Sequence, residues 1–160
     1  MTAIAWQWTW PGLNTPLLVS QEVASLLESY RQKHFDVERG GQLFVDPSSA
    51  VGLVLAVATT PHKDDRAGRA WLDLNARRCR KEIEQANAAG LRLVGYWHTH
   101  PQSIPMISPT DIGSFSRFAA EGGASSAPRA LVMISRMATI MSCARGRLRR
   151  CMVEPPRSGK

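Results

Sequence analysis

The chain is poor in cysteine, with three in 160 residues, and none of them forms a Cys-x-x-Cys pair. Cys79, Cys143 and Cys151 therefore offer neither a disulfide framework nor a thiolate zinc knuckle, and they read as free, buried thiols in a reducing cytoplasm. Long hydrophobic runs are missing as well. No apolar stretch approaches the ~18 residues that a membrane helix needs. The first residues, Met1-Thr-Ala-Ile-Ala-Trp6, lack the basic start and apolar centre of a secretory signal. Internal repeats are absent, and so is any linker long enough to divide the chain, so one domain is expected over 1–154 with a disordered tail over 155–160. Acidic residues are fewer than basic ones, 13 against 20, which gives a net charge of +7 and a sequence pI near 10.0. Nucleic-acid binding is the reflex inference from that charge. Against it, the basic residues are spread over helix, loop and tail without a nucleic-acid motif, and net charge speaks first to nonspecific attraction.

Histidine is also scarce, with four in all, and two of the four fall in a single His-x-His, His98-Thr99-His100. Leu91 to Trp97 is apolar and β-prone, so these histidines stand where a buried strand ends. Side chains two apart on a strand leave the same face, and both imidazoles can converge on one point. Pro101 ends the strand. Ser108-Pro109-Thr110-Asp111 then predicts a helix start, with Ser108 as N-cap and Pro109 at the first helical position. The short loop lets Asp111 fold back beside the histidines. His98, His100 and Asp111 would supply three ligands and leave one tetrahedral position open, the pattern of a catalytic zinc rather than a structural one.

Taken singly, these pieces are ordinary, since a strand histidine is usually a satisfied polar residue and Ser-x-x-Asp usually a cap. Together, His98-Thr99-His100, seven residues, Ser108, two residues and Asp111 resemble the signature of the JAB/MPN (JAMM) zinc metalloproteases, His-(Ser/Thr)-His-x7-Ser-x2-Asp with a Glu upstream. Trp97 to Pro101 is similar to the bacterial, deubiquitinase-like members that accompany ubiquitin-like conjugation. The upstream Glu is found in Glu38-Arg39-Gly40-Gly41, where paired glycines lead a strand and allow close backbone approach. The resemblance makes Glu38 the general base. Without it, Glu38 would read as a solvated loop carboxylate paired with Arg39. Glu22 and Glu28 are weaker choices because both fall inside a helical pattern, and His62 and Asp64 lie in a mixed-charge loop with no third ligand near.

The resemblance further implies an α+β MPN/JAB fold, related to the cytidine deaminases, with a mixed, curved sheet flanked by helices. It implies one Zn2+ per chain, and Ser108 as a donor to the oxyanion of a tetrahedral intermediate. The implied substrate is the C-terminal tail of a ubiquitin-like protein, or of a conjugated CD-NTase, with E1- and E2-like proteins of the same antiviral operon as further partners. A non-catalytic MPN scaffold and a nucleic-acid-binding protein are the alternative readings. No membrane partner is expected.

The remaining chain supplies the frame. Ile4, Trp6, Trp8 and Trp10 alternate with Ala5, Gln7 and Thr9, a first strand with an aromatic face. Ser20 caps a helix expected to run to about Lys33, and Asp46-Pro47-Ser48-Ser49 is a turn. Val51 to Thr59 is a buried central strand, Ala70 to Leu74 a short one, and Asn75 to Ala89 a helix closed by Gly90. Arg77, Arg78, Arg80 and Lys81 give that helix a basic start, which reads as a solvated face or a contact for an acidic partner. A further helix is expected to about Glu121. Strands follow at Arg129 to Ile134, Ala138 to Cys143 and Arg147 to Val153.

Overall fold

The computed structural model describes residues 2–8, 16–33, 35–100, 109, 113, 129–134, 138–144 and 147–151. Among these, ten strands and two helices run in the order β1 (Ile4–Trp8), β2 (Leu17–Ser20), α1 (Gln21–Ser29), β3 (Gly40–Asp46), β4 (Leu53–Ala58), β5 (Arg66–Gly68), β6 (Trp71–Asp73), α2 (Ala76–Ala88), β7 (Arg92–Thr99), β8 (Arg129–Ile134), β9 (Ala138–Ala144) and β10 (Arg147–Cys151). Eight strands form one mixed sheet in the order β1-β2-β4-β3-β7-β8-β9-β10, while β5 and β6 make a separate hairpin. The β2–β4 and β7–β8 pairs are parallel, and the other pairs of the sheet are antiparallel. The α+β architecture is thus the expected one. The expected tail lies outside the described residues, as does the body of the helix towards Glu121; Pro109 and Gly113 within it are helical and exposed.

Apolar alternation and capping account for most elements. Trp8, Leu17, Val19, Leu43, Leu55 and Trp97 bury their side chains in one core, together with Val23, Ala24 and Leu27 of α1. Burying a side chain of this size stabilises by about 1.5–3 kcal/mol each. Ser20 is the N-cap of α1, its hydroxyl accepting the Val23 N–H at 3.2 Å. The helix stops at Ser29, short of the expected Lys33. Its apolar face ends with Tyr30, which leaves the helix to lie 5.7 Å from the Trp97 ring. Lys33 and Asp36 then close a turn on each other, with Lys33 N–H on Asp36 Oδ2 at 3.1 Å.

Residues 41 and 42 of β3 point to opposite faces of the sheet. Gly41 lies against Trp97, on the side of the α1 core. Gln42 is fully buried on the other side, and with its amide turned so that nitrogen and oxygen each meet a suitable partner, the nitrogen donates to Cys79 O at 3.1 Å and to Glu82 Oε2 at 2.9 Å in α2. The two helices therefore flank opposite faces. Asn75 is the N-cap of α2, accepting Arg78 N–H at 2.9 Å, and Gly90 beyond its end takes φ +82°, a conformation that glycine adopts without strain. Burial pushes the Cys79 thiol up to about 11, in keeping with a packed, unreactive cysteine.

One charge expectation is corrected. The basic residues are spread along the chain as expected, although residues 129–160 hold eight Lys or Arg against Glu154 alone. Arg78 is not a solvated residue of a basic helix start. It is buried and forks onto Asp65, which is equally buried, and also reaches Glu82 at 2.7 Å. Burial alone would raise the Asp65 carboxyl. The Asn75 and His62 N–H groups and the Arg78 guanidinium together outweigh burial and hold it below the ordinary carboxylate range. A depressed folded value stabilises the fold above the unfolded value of about 3.9, and that contribution disappears as pH falls through the folded value. The stability difference between wild type and Asp65→Asn, measured by urea unfolding, should be constant above about pH 5 and shrink below about pH 4. A difference that stays constant down to pH 2 would show that the carboxylate charge does not contribute.

Candidate active site

The site is built where β3 and β7 run side by side. Their register sets Gly40 opposite His98 and Gly41 opposite Trp97. One step further, Thr99 N–H donates to Arg39 O at 2.8 Å, and Arg39 N–H donates to the Thr99 hydroxyl at 2.9 Å. Continuing the register brings position 38 opposite position 100, on the same face as His98. Glu38, His98 and His100 are 5%, 8% and 8% exposed. Glu38 is thus not the solvated loop carboxylate that composition alone would favour.

The alternation expected for His-x-His is present. His98 and His100 turn to one side, with ring centroids 4.9 Å apart and Nε2 atoms 3.0 Å apart. Thr99 between them points the other way and is fully buried. Two neutral imidazoles at this distance either share a proton or offer two lone pairs to one cation. Two nitrogens each ~2.0–2.1 Å from one tetrahedral zinc stand about 3.3 Å apart, close to the spacing here, so the pair fits that metal. Among the described residues, no three His, Cys, Asp or Glu side chains form a ligand set. Asp111 and Ser108, which the signature adds, lie outside the described residues.

Glycine 40 makes the close approach possible. A Cβ there would meet the backbone oxygen of Trp97, Leu72 Cδ2 at 2.5 Å and His98 Cβ at 3.2 Å. The β5–β6 hairpin thus lies over the strand pair, and its Gly68 O accepts the Glu38 N–H at 2.8 Å. Sequence reasoning saw the glycine pair but missed Thr99, Gly68 and Leu72 as supports. The signal for Thr99 was its place between the two histidines. Gly40→Ala should separate β3 from β7, because backbone cannot yield as a side chain can, and should cost about 1–3 kcal/mol as overpacking does. Urea unfolding that matches wild type would contradict this packing.

A cavity of about 340 Å³ opens beside Glu38, lined among others by Tyr30, Arg39, Gly40, His62, Lys63 and Leu72. His62 and Asp64 do not join the histidine pair. Their loop is ordered, with Asp65 accepting His62 N–H at 2.9 Å and Asp64 N–H donating to His62 Nδ1 at 3.2 Å. Glu28 pairs with Arg31 at the surface, and Glu22 sits exposed in the first turn of α1.

Residues 20–150 match the family described as prokaryotic homologs of the JAB domain. The chain belongs to that family. This prokaryotic JAB chain is similar to a protein named CD-NTase/cGAS isopeptidase from Escherichia coli, 28% identical over 102 residues, which are 62% of this chain and 65% of the other. A protein of the same name from Vibrio cholerae is 28% identical over 104 residues, or 63% of this chain and 67% of that one. The chain therefore spans just under two thirds of the Escherichia coli relative's length. In fold, the JAB chain is similar to a protein from Desulfitobacterium hafniense solved in solution, at TM-score 0.56 and 14% identity over 82% of this chain and 87% of that one.

Proposed function

We propose that this JAB-family chain is a JAMM-type zinc isopeptidase. It would cleave after the C-terminal tail of a CD-NTase or ubiquitin-like protein and so reverse or process a bacterial conjugation. The observation that carries the reading is the pair of buried imidazoles, Nε2 to Nε2 at 3.0 Å, with buried Glu38 two residues before Gly40, the β3 partner of His98. The names of the Escherichia coli and Vibrio cholerae relatives support the substrate class. The cytidine-deaminase-like ancestry of the fold and a role in antiviral defence belong to the same proposal, as do cytoplasmic E1- and E2-like partners. Among the described residues, no helix is long and apolar enough to cross a membrane.

His98 and His100, with Asp111, would hold the zinc. When bound, the metal supplies Lewis-acid activation of water and of the scissile carbonyl. Glu38 takes a proton from the attacking water and later delivers it to the leaving amine nitrogen, one group acting as base and then acid. Ser108 donates a hydrogen bond to the carbonyl oxygen as charge develops there, and removing such a donor in a comparable hydrolysis costs about 3 kcal/mol. An extended tail binds by adding its backbone to a sheet edge, which asks little of its side chains.

The test is cleavage of a fusion in which the C-terminal tail of the CD-NTase or ubiquitin-like protein encoded beside this chain precedes a reporter protein. Zinc-loaded protein should release the reporter, with the new terminus after the last tail residue by mass, and a chelator should stop it. Zinc bound without cleavage of any such fusion or conjugate would replace the enzyme with the scaffold reading.

A further inference from the structure

Arg78 lies outside the site, yet a chain of polar contacts, most of them partly buried, leads from it to both sides of Glu38. Its guanidinium forks onto Asp65, Nε to Oδ1 at 3.2 Å and Nη2 to Oδ2 at 2.9 Å, and both side chains are 6% exposed. Asp65 also accepts the N–H groups of His62 and Asn75, each at 2.9 Å, so the loop and the start of α2 are tied to one carboxylate. The other arm of Arg78 reaches Glu82 Oε1 at 2.7 Å and Thr59 Oγ1 at 3.4 Å. With the Gln42 amide turned to satisfy its neighbours, Glu82 Oε2 accepts from Gln42, a β3 residue two places beyond Gly40.

Each end of this chain meets the segment that carries Glu38. Asp65 directly precedes β5, whose Gly68 O accepts the Glu38 N–H. Gln42 fixes β3 against α2, and its own N–H donates to the Thr59 hydroxyl at 2.9 Å. The strand β5, Arg66 to Gly68, is short and only partly buried, and the hairpin is also held by Gln32 Nε2 on Arg69 O at 3.3 Å and by Leu72 over Gly40. A bidentate Arg–carboxylate pair suits the task, because its planar fork fixes orientation as well as distance.

We infer that the Arg78–Asp65 pair positions Glu38, acting through the β5–β6 hairpin on one side and through Glu82 and Gln42 on the other. Arg78 is thus a positioning residue for the proton transfer, and the inference rests on the isopeptidase reading. A general base must be held to about half an ångström, and a shift near 1 Å can cost about 100-fold in rate.

The test uses Arg78→Gln and Asp65→Asn in the full chain, with the tail–reporter fusion as substrate and amide hydrogen exchange as an activity-free readout. In both variants the Glu38 amide and residues 66–73 should exchange faster, while α1 keeps wild-type protection and zinc content is unchanged. The kcat should fall about 10- to 100-fold with KM within about twofold. Asp65→Asn, nearly isosteric, decides the matter should Arg78→Gln not fold. Wild-type exchange at Glu38 in the folded variants overturns the inference, as does faster exchange with unchanged kcat, or a loss confined to KM. A zinc-loaded wild type that cleaves no fusion overturns the isopeptidase reading and with it the catalytic part of the inference. The exchange result then still decides whether the pair holds the Glu38 segment.

Discussion

Glu38→Gln should leave the fold and the zinc in place and lower kcat on the tail–reporter fusion by about 100- to 10,000-fold, the range a positioned general base contributes. The argument is geometric. Glu38 is buried, its backbone N–H is held by Gly68 O, and it stands two residues before Gly40, the β3 partner of His98. Glutamine keeps the size and the hydrogen-bonding ability of the side chain but cannot accept the water proton at neutral pH. The variant should therefore bind the fusion with near wild-type KM and retain uncleaved conjugate, which allows the partner to be recovered by pull-down. The loss should fall on kcat and kcat/KM together, the mark of an interaction made in the transition state. Turnover equal to wild type, with mass spectrometry confirming the substitution, would remove Glu38 from the proton transfer.

What the sequence revealed of this site follows from strand parity and capping, both of which are local. His98 and His100 share a face because they are two apart on a strand, and the structure brings their Nε2 atoms within 3.0 Å. Ser20 and Asn75 cap α1 and α2 through bonds that span three residues. The glycines at 40 and 41 carried a readable cue, since a strand seldom opens on two glycines unless something lies close. Nonlocal features were not legible. The strand β2 is only four residues long, ends on the Ser20 cap itself and shows no alternation of its own. The strand β5, Arg66–Gly68, has no apolar pattern at all and exists through pairing with β6. The burial of Glu38 depends on that hairpin lying over it. Likewise, Arg78 reads as one of four basic residues at a helix start, and only the approach of Asp65, thirteen positions earlier, turns it inward. In each case the missing information is which segment comes to lie against the residue, and neither periodicity nor composition encodes that.

The other large effect expected is on the metal. Wild-type protein should carry about one zinc per chain after dialysis, and His100→Ala and Asp111→Ala should each lose most of it, because three protein ligands and one exchangeable position make up a catalytic zinc site. His100→Ala leaves a single imidazole of the pair whose nitrogens now face each other, so no chelate remains on β7. The fold should survive the loss, which separates this site from structural zinc. Trp97 stays buried with its indole N–H on Thr59 O at 3.0 Å, and the β3–β7 ladder runs through Gly40 and Gly41 without using either imidazole. Circular dichroism of His100→Ala should therefore match wild type while elemental analysis shows the zinc gone and the fusion is left uncut. Asp111→Ala is the sharper case, because its place among the ligands rests on its spacing from His98 and His100 in the signature. Equal zinc in Asp111→Ala and wild type would take Asp111 out of the ligand set and leave the histidine pair to be completed by another donor; a zinc-free wild type that still cleaves the fusion would end the metalloprotease reading altogether.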